Sequence, residues 1–286
     1  MPISVSSLMP GMGTMMHVDN VLDILSYDAD DLRQCLYDRK VIVLRGDTGG
    51  AEEFWRICSK LGRTMDDAEY RRGREKHDSI MIDGEVRWYG KISNIISPRL
   101  GTGMMPWHAD NPDIGDKSYP IRCLRMVTCP NTDAGFTGFL DIEQGWNMLP
   151  DAMRNAWMSY AIEQQSWYDA GTNLELLAPV KIHPITGGVS PLVNHHNHKN
   201  IKDAWIRDMI DSAGNRIGCG PMTELINAMS SIDGCVYQHR WEEGDIIIYD
   251  NFSLLHNRTD LEITQQVERL MWRINVVHDR SRPLMR

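Results

Sequence analysis

The sequence predicts an α+β fold in which a β-sandwich core carries helical insertions. Segments rich in Val, Ile, Trp and Tyr, which are typical of strands, occur towards both ends of the chain, and helical patterns fill its middle. Regular strand–helix alternation and a glycine-rich phosphate loop are both missing from the sequence, which argues against a doubly wound parallel sheet. No linker rich in Pro, Gly or Ser divides the chain, so residues 1–286 are expected to form a single domain.

The first elements follow from hydrophobic spacing. ADDLRQCLYDRK (29–40) predicts a helix because its leucines and cysteine share one face, and the apolar run VIVL (41–44) predicts a buried strand. AEEFWRICSKLG repeats the helical spacing and ends on Gly62, a residue type that commonly ends helices. Residues 81–96 favour short strands joined by an Asp-Gly turn.

The later elements are assigned in the same way. Strands are predicted for IRCLRMVTC (121–129) and, in the last third, for VYQHRW, DIIIYD and RLMWRINVV, the first two of which flank an EEGD turn. Apolar residues at helical spacing predict helices for PDAMRNAWMSY, NIKDAWIRDMIDSAG and PMTELINAMSSIDG.

The composition limits which kinds of partner and which cellular location are expected. A formal net charge of −9 argues against a nucleic-acid or anionic-membrane surface, and the basic run RRGREK (71–76) is interpreted as a solvated loop. The N-terminus lacks the features of a signal peptide, and no apolar run approaches the ~18 residues of a membrane span. Six cysteines without a CxxC pair indicate reduced thiols. We therefore expect a soluble, cytoplasmic protein without a nucleic-acid or membrane partner; whether it forms a homo-oligomer stays open.

A histidine and an aspartate two residues apart stand out in the stretch MMPWHADN (104–111). In an extended segment, residues i and i+2 point to the same side, so His108 and Asp110 would converge on one point. Such a pair supplies two ligands of a 2-His-1-carboxylate triad, which leaves coordination positions on iron(II) open. His256, which follows the apolar strand DIIIYD, is the candidate for the third ligand.

A second cluster of histidines is another candidate functional site. VNHHNHKN places His195, His196 and His198 within four residues, and the last two also have same-side spacing. No carboxylate lies within this cluster. A second metal site, the lining of a substrate pocket and an exposed polar loop all remain open.

Two arginines lie on one face of a predicted C-terminal strand. Strand alternation in ERLMWRINVV separates two faces. The mainly polar face has Arg269, Met271, Arg273 and Asn275, and the apolar face has Leu270, Trp272, Ile274 and Val276. The apolar face suits the core, so the arginines face either solvent or a lined cavity. An arginine there could grip a carboxylate through two hydrogen bonds.

Taken in order, these segments resemble one family. The stretches are KVIVLRG (40–46), ISNI (92–95), PWHADN (106–111), HPITG (183–187), WEEGDIIIYDN with LLH (241–256), and the R-x-x-x-R of residues 269–273. Together they resemble the taurine dioxygenase-like (TauD/TfdA-type) iron(II)/2-oxoglutarate-dependent oxygenases over nearly the whole chain.

The resemblance implies a double-stranded β-helix (jelly-roll) core and specific roles for residues. Iron would be held by His108, Asp110 and His256. Arg269, helped by Thr137, would grip the far carboxylate of 2-oxoglutarate, and Arg273 would reach the substrate. The spacing from His256 to the arginines is slightly longer than in the taurine-using enzymes. It therefore stays open which of Arg269 and Arg273 binds 2-oxoglutarate and which reaches the substrate.

The implied activity uses iron(II), 2-oxoglutarate and dioxygen, oxidises a small molecule and releases succinate and CO2. Hydroxylation is favoured over halogenation because halogenating relatives carry a small residue where this chain has Asp110. Desaturation, ring formation and isonitrile formation at the same site remain alternatives, as does a jelly-roll metal-binding protein without turnover.

The substrate is expected to belong to secondary or amino-acid-derived metabolism. Candidate substrate contacts are Arg273, Asn94, Asn111, His195, His196 and His198.

Overall fold

A computed structural model describes residues 3–72, 76–94, 104–110, 120–130, 135–165, 174–194, 206–259 and 268–278. The helices are α1 (Val21–Ser26), α2 (Ala29–Arg39), α3 (Ala51–Ser59), α4 (Asp67–Arg72), α5 (Ile142–Met148), α6 (Asp151–Met158) and α7 (Gly220–Ser230). The strands are β1 (Ser4–Ser7), β2 (Thr14–Val18), β3 (Val41–Gly46), β4 (Gly62–Thr64), β5 (His77–Ile82), β6 (Glu85–Ser93), β7 (Met105–His108), β8 (Ile121–Thr128), β9 (Thr137–Asp141), β10 (Ala161–Gln165), β11 (Leu174–Leu177), β12 (Val180–Ile182), β13 (Val189–Pro191), β14 (Ile206–Ile210), β15 (Val236–His239), β16 (Ile246–Asp250), β17 (Leu254–Arg258) and β18 (Leu270–His278).

Two sheets form the centre of the described part. The larger has the order β1-β2-β3-β16-β8-β18-β6-β5, with β4 also paired to β18, and the smaller has the order β15-β9-β17-β7. Within these sheets β2 and β3 run parallel and the other paired neighbours run antiparallel. The predicted α+β class is therefore confirmed, with strands outnumbering helices among the described residues.

The two sheets pack face to face through apolar side chains. Val43, Met126 and Met271 of the larger sheet form one buried cluster with Phe139 and Leu254 of the smaller. Because side chains alternate across a strand, polar residues two positions away from these apolar residues share their inner face and lie in the space between the sheets. That space holds the candidate site.

Helices cover the outer faces. Helices α1, α2 and α3 pack on the outer side of the larger sheet, with Leu36 and Ile57 against Ile248 and Ile274. Helices α5, α6 and α7 cover the smaller sheet, where Leu255 lies in their cluster. No helix in the described ranges has the length and apolar character needed to cross a membrane.

Most predicted elements are present, and three predictions are wrong in whole or in part. The run RRGREK (71–76), interpreted as a loop, begins inside helix α4, which ends at Arg72. Residues 206–210 of the segment predicted as the helix NIKDAWIRDMIDSAG form strand β14, which pairs with β10. A partner strand elsewhere in the chain thus overrides a local helical pattern. Gly62 does not cap α3, because the helix ends at Ser59, Lys60 is its C-cap and Gly62 begins β4. The predicted turn at Asp83-Gly84 is confirmed, and both residues have positive φ, 52° and 80°, as a tight hairpin turn requires.

Candidate metal centre

The site forms where strands β7 and β17 lie side by side. His256 of β17 is directly opposite His108 at the end of β7, and their ring centroids are 4.1 Å apart. Asp110 follows two residues after His108, beyond the end of the strand. Strand pairing therefore brings the distant His256 to the pair that adjacency in sequence had already placed together.

The three side chains present a compact set of ligand atoms. One ring nitrogen from each histidine and one oxygen of Asp110 all lie within 4.8 Å of one another. The Nδ1 atom of His108 is 2.8 Å from the carbonyl oxygen of Pro106, to which it can donate a hydrogen bond. This contact orients the ring and leaves Nε2, which lies 3.9 Å from Asp110 Oδ1, as the nitrogen facing the centre.

The protonation states suit a cation. Burial lowers the pKa of His256 to about 3, and neighbouring His108 adds to the shift, so the ring is neutral near pH 7 and can donate a lone pair. Burial acts to raise the pKa of Asp110, but adjacent His256, Arg122 and Arg273 outweigh it and hold that pKa below its ordinary value. The Asp110 carboxyl is therefore ionised at neutral pH.

Both arginines approach the outer oxygen of Asp110. Arg273 Nη1 is 3.3 Å from Oδ2, and Arg122 Nε is 3.7 Å from the same atom. Arg122 also donates from Nη2 to the Asp110 carbonyl oxygen at 3.1 Å. Oδ1, on the side of His108, is thereby left to face the centre.

Arg122 was missed by the sequence reasoning, although a signal was available. In strand β8, Ile121 and Cys123 join the cluster beneath the helices, whereas Leu124 and Met126 join the cluster between the sheets. The same alternation places Arg122 on the inner face. Strand alternation in IRCLRMVTC thus signals that Arg122 lies on the face opposite Ile121 and Cys123.

Arg269 and Thr137 share Trp241 as a neighbour. The Arg269 side chain is buried, and burial, aided by nearby Arg258, lowers its pKa to about 10, so it stays charged at neutral pH. It lines a small cavity together with Trp241 and Phe136. Trp241 Nε1 donates to Thr137 Oγ1 at 2.9 Å, so the threonine hydroxyl is held next to that cavity.

The candidate substrate contacts are placed unequally. Asn94 Oδ1 accepts a hydrogen bond of 2.8 Å from the backbone N–H of Arg269, so its amide oxygen is engaged in fixing the start of β18. Its expected contact with substrate stays a prediction. Asn111, His195, His196 and His198 lie outside the described residues.

The residues present fit an iron(II) ion by their donor chemistry. Two imidazoles and one carboxylate on one side of a metal form the set associated with non-haem iron oxygenases, which keep open positions for further ligands. The His108 and Asp110 side chains are 14% and 24% exposed, so the centre is accessible from one side. A charged arginine at the neighbouring cavity suits a cosubstrate carboxylate.

A family model adds the deciding observation. The model described as "Taurine catabolism dioxygenase TauD, TfdA family" matches residues 4–275. The chain belongs to the TauD/TfdA family.

Curated TauD/TfdA-like relatives include two enzymes with one name. The (S)-phenoxypropionate/alpha-ketoglutarate-dioxygenase of Sphingobium herbicidovorans is 31% identical over 231 residues, covering 70% of this chain and 71% of that protein. The enzyme of that name from Delftia acidovorans is 25% identical over 216 residues, or 68% of each chain. The 3-((Z)-2-isocyanoethenyl)-1H-indole synthase of Fischerella ambigua is 23% identical over 270 residues, or 89% of each.

Solved structures show that the fold is shared. AAD-2, crystallised in complex with Mn(II) and N-oxalylglycine, superimposes with a TM-score of 0.69 at 15% identity, covering 100% of both chains. A taurine dioxygenase from Burkholderia xenovorans gives a TM-score of 0.68 at 18% identity, covering 98% of this chain and 90% of that one.

Membership in the TauD/TfdA family confirms the sequence prediction of an oxygenase. The chain is an iron(II)- and 2-oxoglutarate-dependent dioxygenase, and its cofactor set is iron(II), 2-oxoglutarate and dioxygen. Its substrates are small molecules, as in the family.

Proposed function

We propose that the enzyme hydroxylates a small organic acid from secondary or amino-acid-derived metabolism, with release of succinate and CO2. The observation that carries this proposal is the cluster of His108, Asp110 and His256, whose ligand atoms lie within 4.8 Å of one another. The carboxylate of Asp110 favours oxygen transfer over halogenation, which needs a small residue at that place. The (S)-phenoxypropionate dioxygenases among the relatives support a carboxylic acid as substrate.

The residue roles are proposed as follows. His108, Asp110 and His256 hold iron(II), which when bound supplies positions for 2-oxoglutarate and dioxygen and the oxidising power to break a C–H bond. Arg269 holds the far carboxylate of 2-oxoglutarate, with the hydroxyl of Thr137 beside it. Its burial, at 5% exposed, favours this grip because water competes little for the carboxylate.

Arg273 is proposed to act on the substrate side. Its Nη1 lies 3.3 Å from Asp110 Oδ2, so it both orients this ligand and brings a positive charge close to the metal. A substrate carboxylate within reach of that charge would fix which C–H bond faces the oxidant. The apolar cluster between the sheets, with Met271 on the same strand face, excludes water from the other side.

A second candidate outcome is isonitrile formation from an amino-acid-derived substrate. The match to the isocyanoethenyl-indole synthase extends over 89% of both chains, a larger share than that of the phenoxypropionate enzymes. The same iron site serves both outcomes, because the reaction paths separate only after hydrogen abstraction. A metal-binding protein without turnover is the weaker alternative, since a binder has no need of Arg269 at a neighbouring cavity.

The wider assignments are proposals as well. A double-stranded β-helix core is supported by the two packed sheets and the solved relatives, and a single domain over residues 1–286 by the family match at 4–275. A cytoplasmic location is supported by six free cysteines. The acidic net charge favours neither nucleic-acid nor membrane partners, and a homo-oligomer is compatible with these features.

The reaction is tested by cosubstrate binding and by product analysis. Under anaerobic conditions, iron(II) with 2-oxoglutarate is expected to give a visible charge-transfer band. In air, a panel of (S)-phenoxypropionate and amino-acid-derived carboxylates, scored by succinate release, is expected to contain an accelerating substrate. Mass spectrometry of its product distinguishes hydroxylation from isonitrile formation. Binding of iron without the band and without succinate from any substrate would favour the metal-binding protein.

The histidine cluster gives a separate prediction. Asn194, which directly precedes His195, bonds to the peptide of Ala109 between two proposed ligands, and this supports a substrate role for the histidines that follow. Replacing His195, His196 and His198 together by Ala is expected to leave iron and 2-oxoglutarate binding unchanged. Substrate-stimulated succinate formation should fall, while slow substrate-independent turnover persists.

Two other results are possible for this triple variant, and each contradicts the pocket role. Turnover of the substrate at the parental rate would mean that the histidines are solvated surface. Loss of iron, measured by metal analysis after desalting, would make them part of a metal site. Ordinary histidine pKa values near 6.5 also predict that substrate recognition by the parent varies with pH around neutrality and that the triple variant loses this dependence.

A further inference from the structure

The segment that carries two proposed ligands leaves its sheet just before the second of them. Strand β7 ends at His108, which is paired with His256 of β17. Ala109 and Asp110 lie beyond that end, and the chain bends at Asp110. His108 and Asp110 converge only while the backbone between them keeps its conformation. Interactions other than the strand hydrogen bonds must therefore hold that backbone.

The side-chain amide of Asn194 holds the first of these two residues. The N–H of Ala109 donates to Asn194 Oδ1 at 3.3 Å, and Asn194 Nδ2 donates back to the Ala109 carbonyl at 3.2 Å. Asn194 is 5% exposed, and its own backbone N–H lies 3.3 Å from the sulfur of Met222 in α7. The amide is therefore anchored in the cluster that covers the smaller sheet.

The side-chain amide of Asn251 holds the second residue in the same way. The N–H of Asp110 donates to Asn251 Oδ1 at 3.1 Å, and Asn251 Nδ2 donates to the Asp110 carbonyl at 2.6 Å. Asn251 is buried in the turn between β16 and β17, the turn that leads to His256. Its backbone N–H donates to Pro120 at the entrance of β8, the strand that carries Arg122.

A primary amide imitates a peptide group, since it offers a donor and an acceptor in one plane. Two antiparallel strands exchange two hydrogen bonds between opposite residues in the same pattern. Each asparagine thus replaces a missing strand neighbour with a side chain that has few rotatable bonds. Because both amides are buried, the hydrogen bonds face little competition from water.

We propose that Asn251 and Asn194 are positioning residues that keep His108 and Asp110 at ligand spacing before a metal binds. Asn251 has the larger share, because it ties the Asp110 backbone to the turn before His256 and to the entrance of β8. The inference rests on the proposed assignment of the three ligands. Partners that orient ligands without touching the metal commonly contribute about 10- to 100-fold to metal affinity.

The test uses cobalt(II) as a spectroscopic probe of the metal-free protein. Asn251→Asp keeps an acceptor for the Asp110 N–H but cannot donate to its carbonyl. Cobalt(II) affinity is expected to fall about 10- to 100-fold, with a changed visible absorption spectrum. Asn194→Asp is expected to act in the same direction with a smaller effect.

The control is Asn20→Ala, which removes the side-chain acceptor that caps α1 far from the centre. It should lower the melting temperature without altering cobalt(II) affinity or the spectrum. The proposal is overturned if both aspartate variants lower the melting temperature but bind cobalt(II) like the parent with the parental spectrum. If Asn251→Asp fails to fold, Asn194→Asp decides alone by the same criteria.

A His256→Ala variant separates this proposal from the ligand assignment. Parental cobalt(II) binding by His256→Ala would show that the ligand assignment is wrong. Loss of binding in His256→Ala together with parental binding and spectra in both asparagine variants would leave the assignment in place and remove only the positioning role.

Discussion

Replacing His256 by Ala is expected to abolish iron binding and turnover while leaving the fold intact. The change removes one of the three proposed protein ligands. The loss of iron affinity should therefore exceed the roughly 100-fold effect typical of residues that only orient ligands. The protein should still fold, because the Asp110 carboxylate keeps Arg273 and Arg122 as partners. Iron content after desalting and succinate release measure the effect, and near-ultraviolet circular dichroism reports the fold.

His108→Ala and Asp110→Ala are expected to give the same result. A matched control is His77→Ala, which removes a histidine that pairs with Asp67 outside the site and should keep iron and activity. Full iron content and activity in His256→Ala would mean that the proposed triad is wrong. The pair His196 and His198 would then become the leading metal candidate.

The second large effect separates Arg269, which directly precedes strand β18, from Arg273 within that strand. Arg269→Ala is expected to raise the 2-oxoglutarate requirement by about 10- to 100-fold, because hydrogen bonds to charged groups contribute roughly 1.5–3 kcal/mol and about 1.4 kcal/mol is tenfold. Arg273→Ala should spare cosubstrate binding and weaken substrate binding or its coupling to succinate formation. Anaerobic titration of 2-oxoglutarate into the iron-loaded variants measures cosubstrate affinity, and succinate release as substrate is titrated measures substrate binding and coupling.

Their positions explain the expected difference. Four strand residues span about 13 Å, which keeps Arg273 beside Asp110 and Arg269 beside the cavity lined by Trp241. The matched control is Arg125→Ala: Arg125 contacts Thr48 and the carbonyl of Gly244 instead of the site, so both affinities should stay parental. The reverse pattern, with cosubstrate affinity lost only in Arg273→Ala, would mean that the roles are exchanged.

The local sequence pattern was sufficient to predict the helices and strands that bury one face. Helix α2 forms where its leucines share a face, and Leu32 and Leu36 are fully buried. In β18 the predicted alternation is observed, because Ile274 and Val276 pack beneath the helices while Met271 packs between the sheets. Both results follow from covalent geometry, which fixes the periods of 3.6 and 2 whatever the rest of the chain does.

The local sequence pattern gave a wrong prediction where a distant partner strand determined the secondary structure. Residues 206–210 have apolar residues at spacings that suit a helix, yet they pair with β10 as strand β14. The backbone hydrogen bonds of a helix come from the segment itself, whereas those of a strand come from another segment. A single sequence does not say which other segment is available.

By itself, the sequence determined the chemical types at the site and the family they resemble. The same-side placement of His108 and Asp110, and the face shared by Arg269 and Arg273, follow from the two-residue period of extended chain. Only the tertiary structure decided that His256 stands opposite His108. The physical reason is that register between distant strands is set by which faces can be buried together.

The tertiary structure also decided which groups surround the proposed ligands. Arg122 approaches the carboxylate of Asp110, and the amides of Asn194 and Asn251 hold its backbone and that of Ala109. For Arg122 the alternation of strand β8 signals only which face the side chain lies on. The two asparagines carry no local signal, because their partners are defined by proximity in space. The sequence thus supplied the candidate iron ligands. The packing of the two sheets decided that His108, Asp110 and His256 meet and what holds them in place.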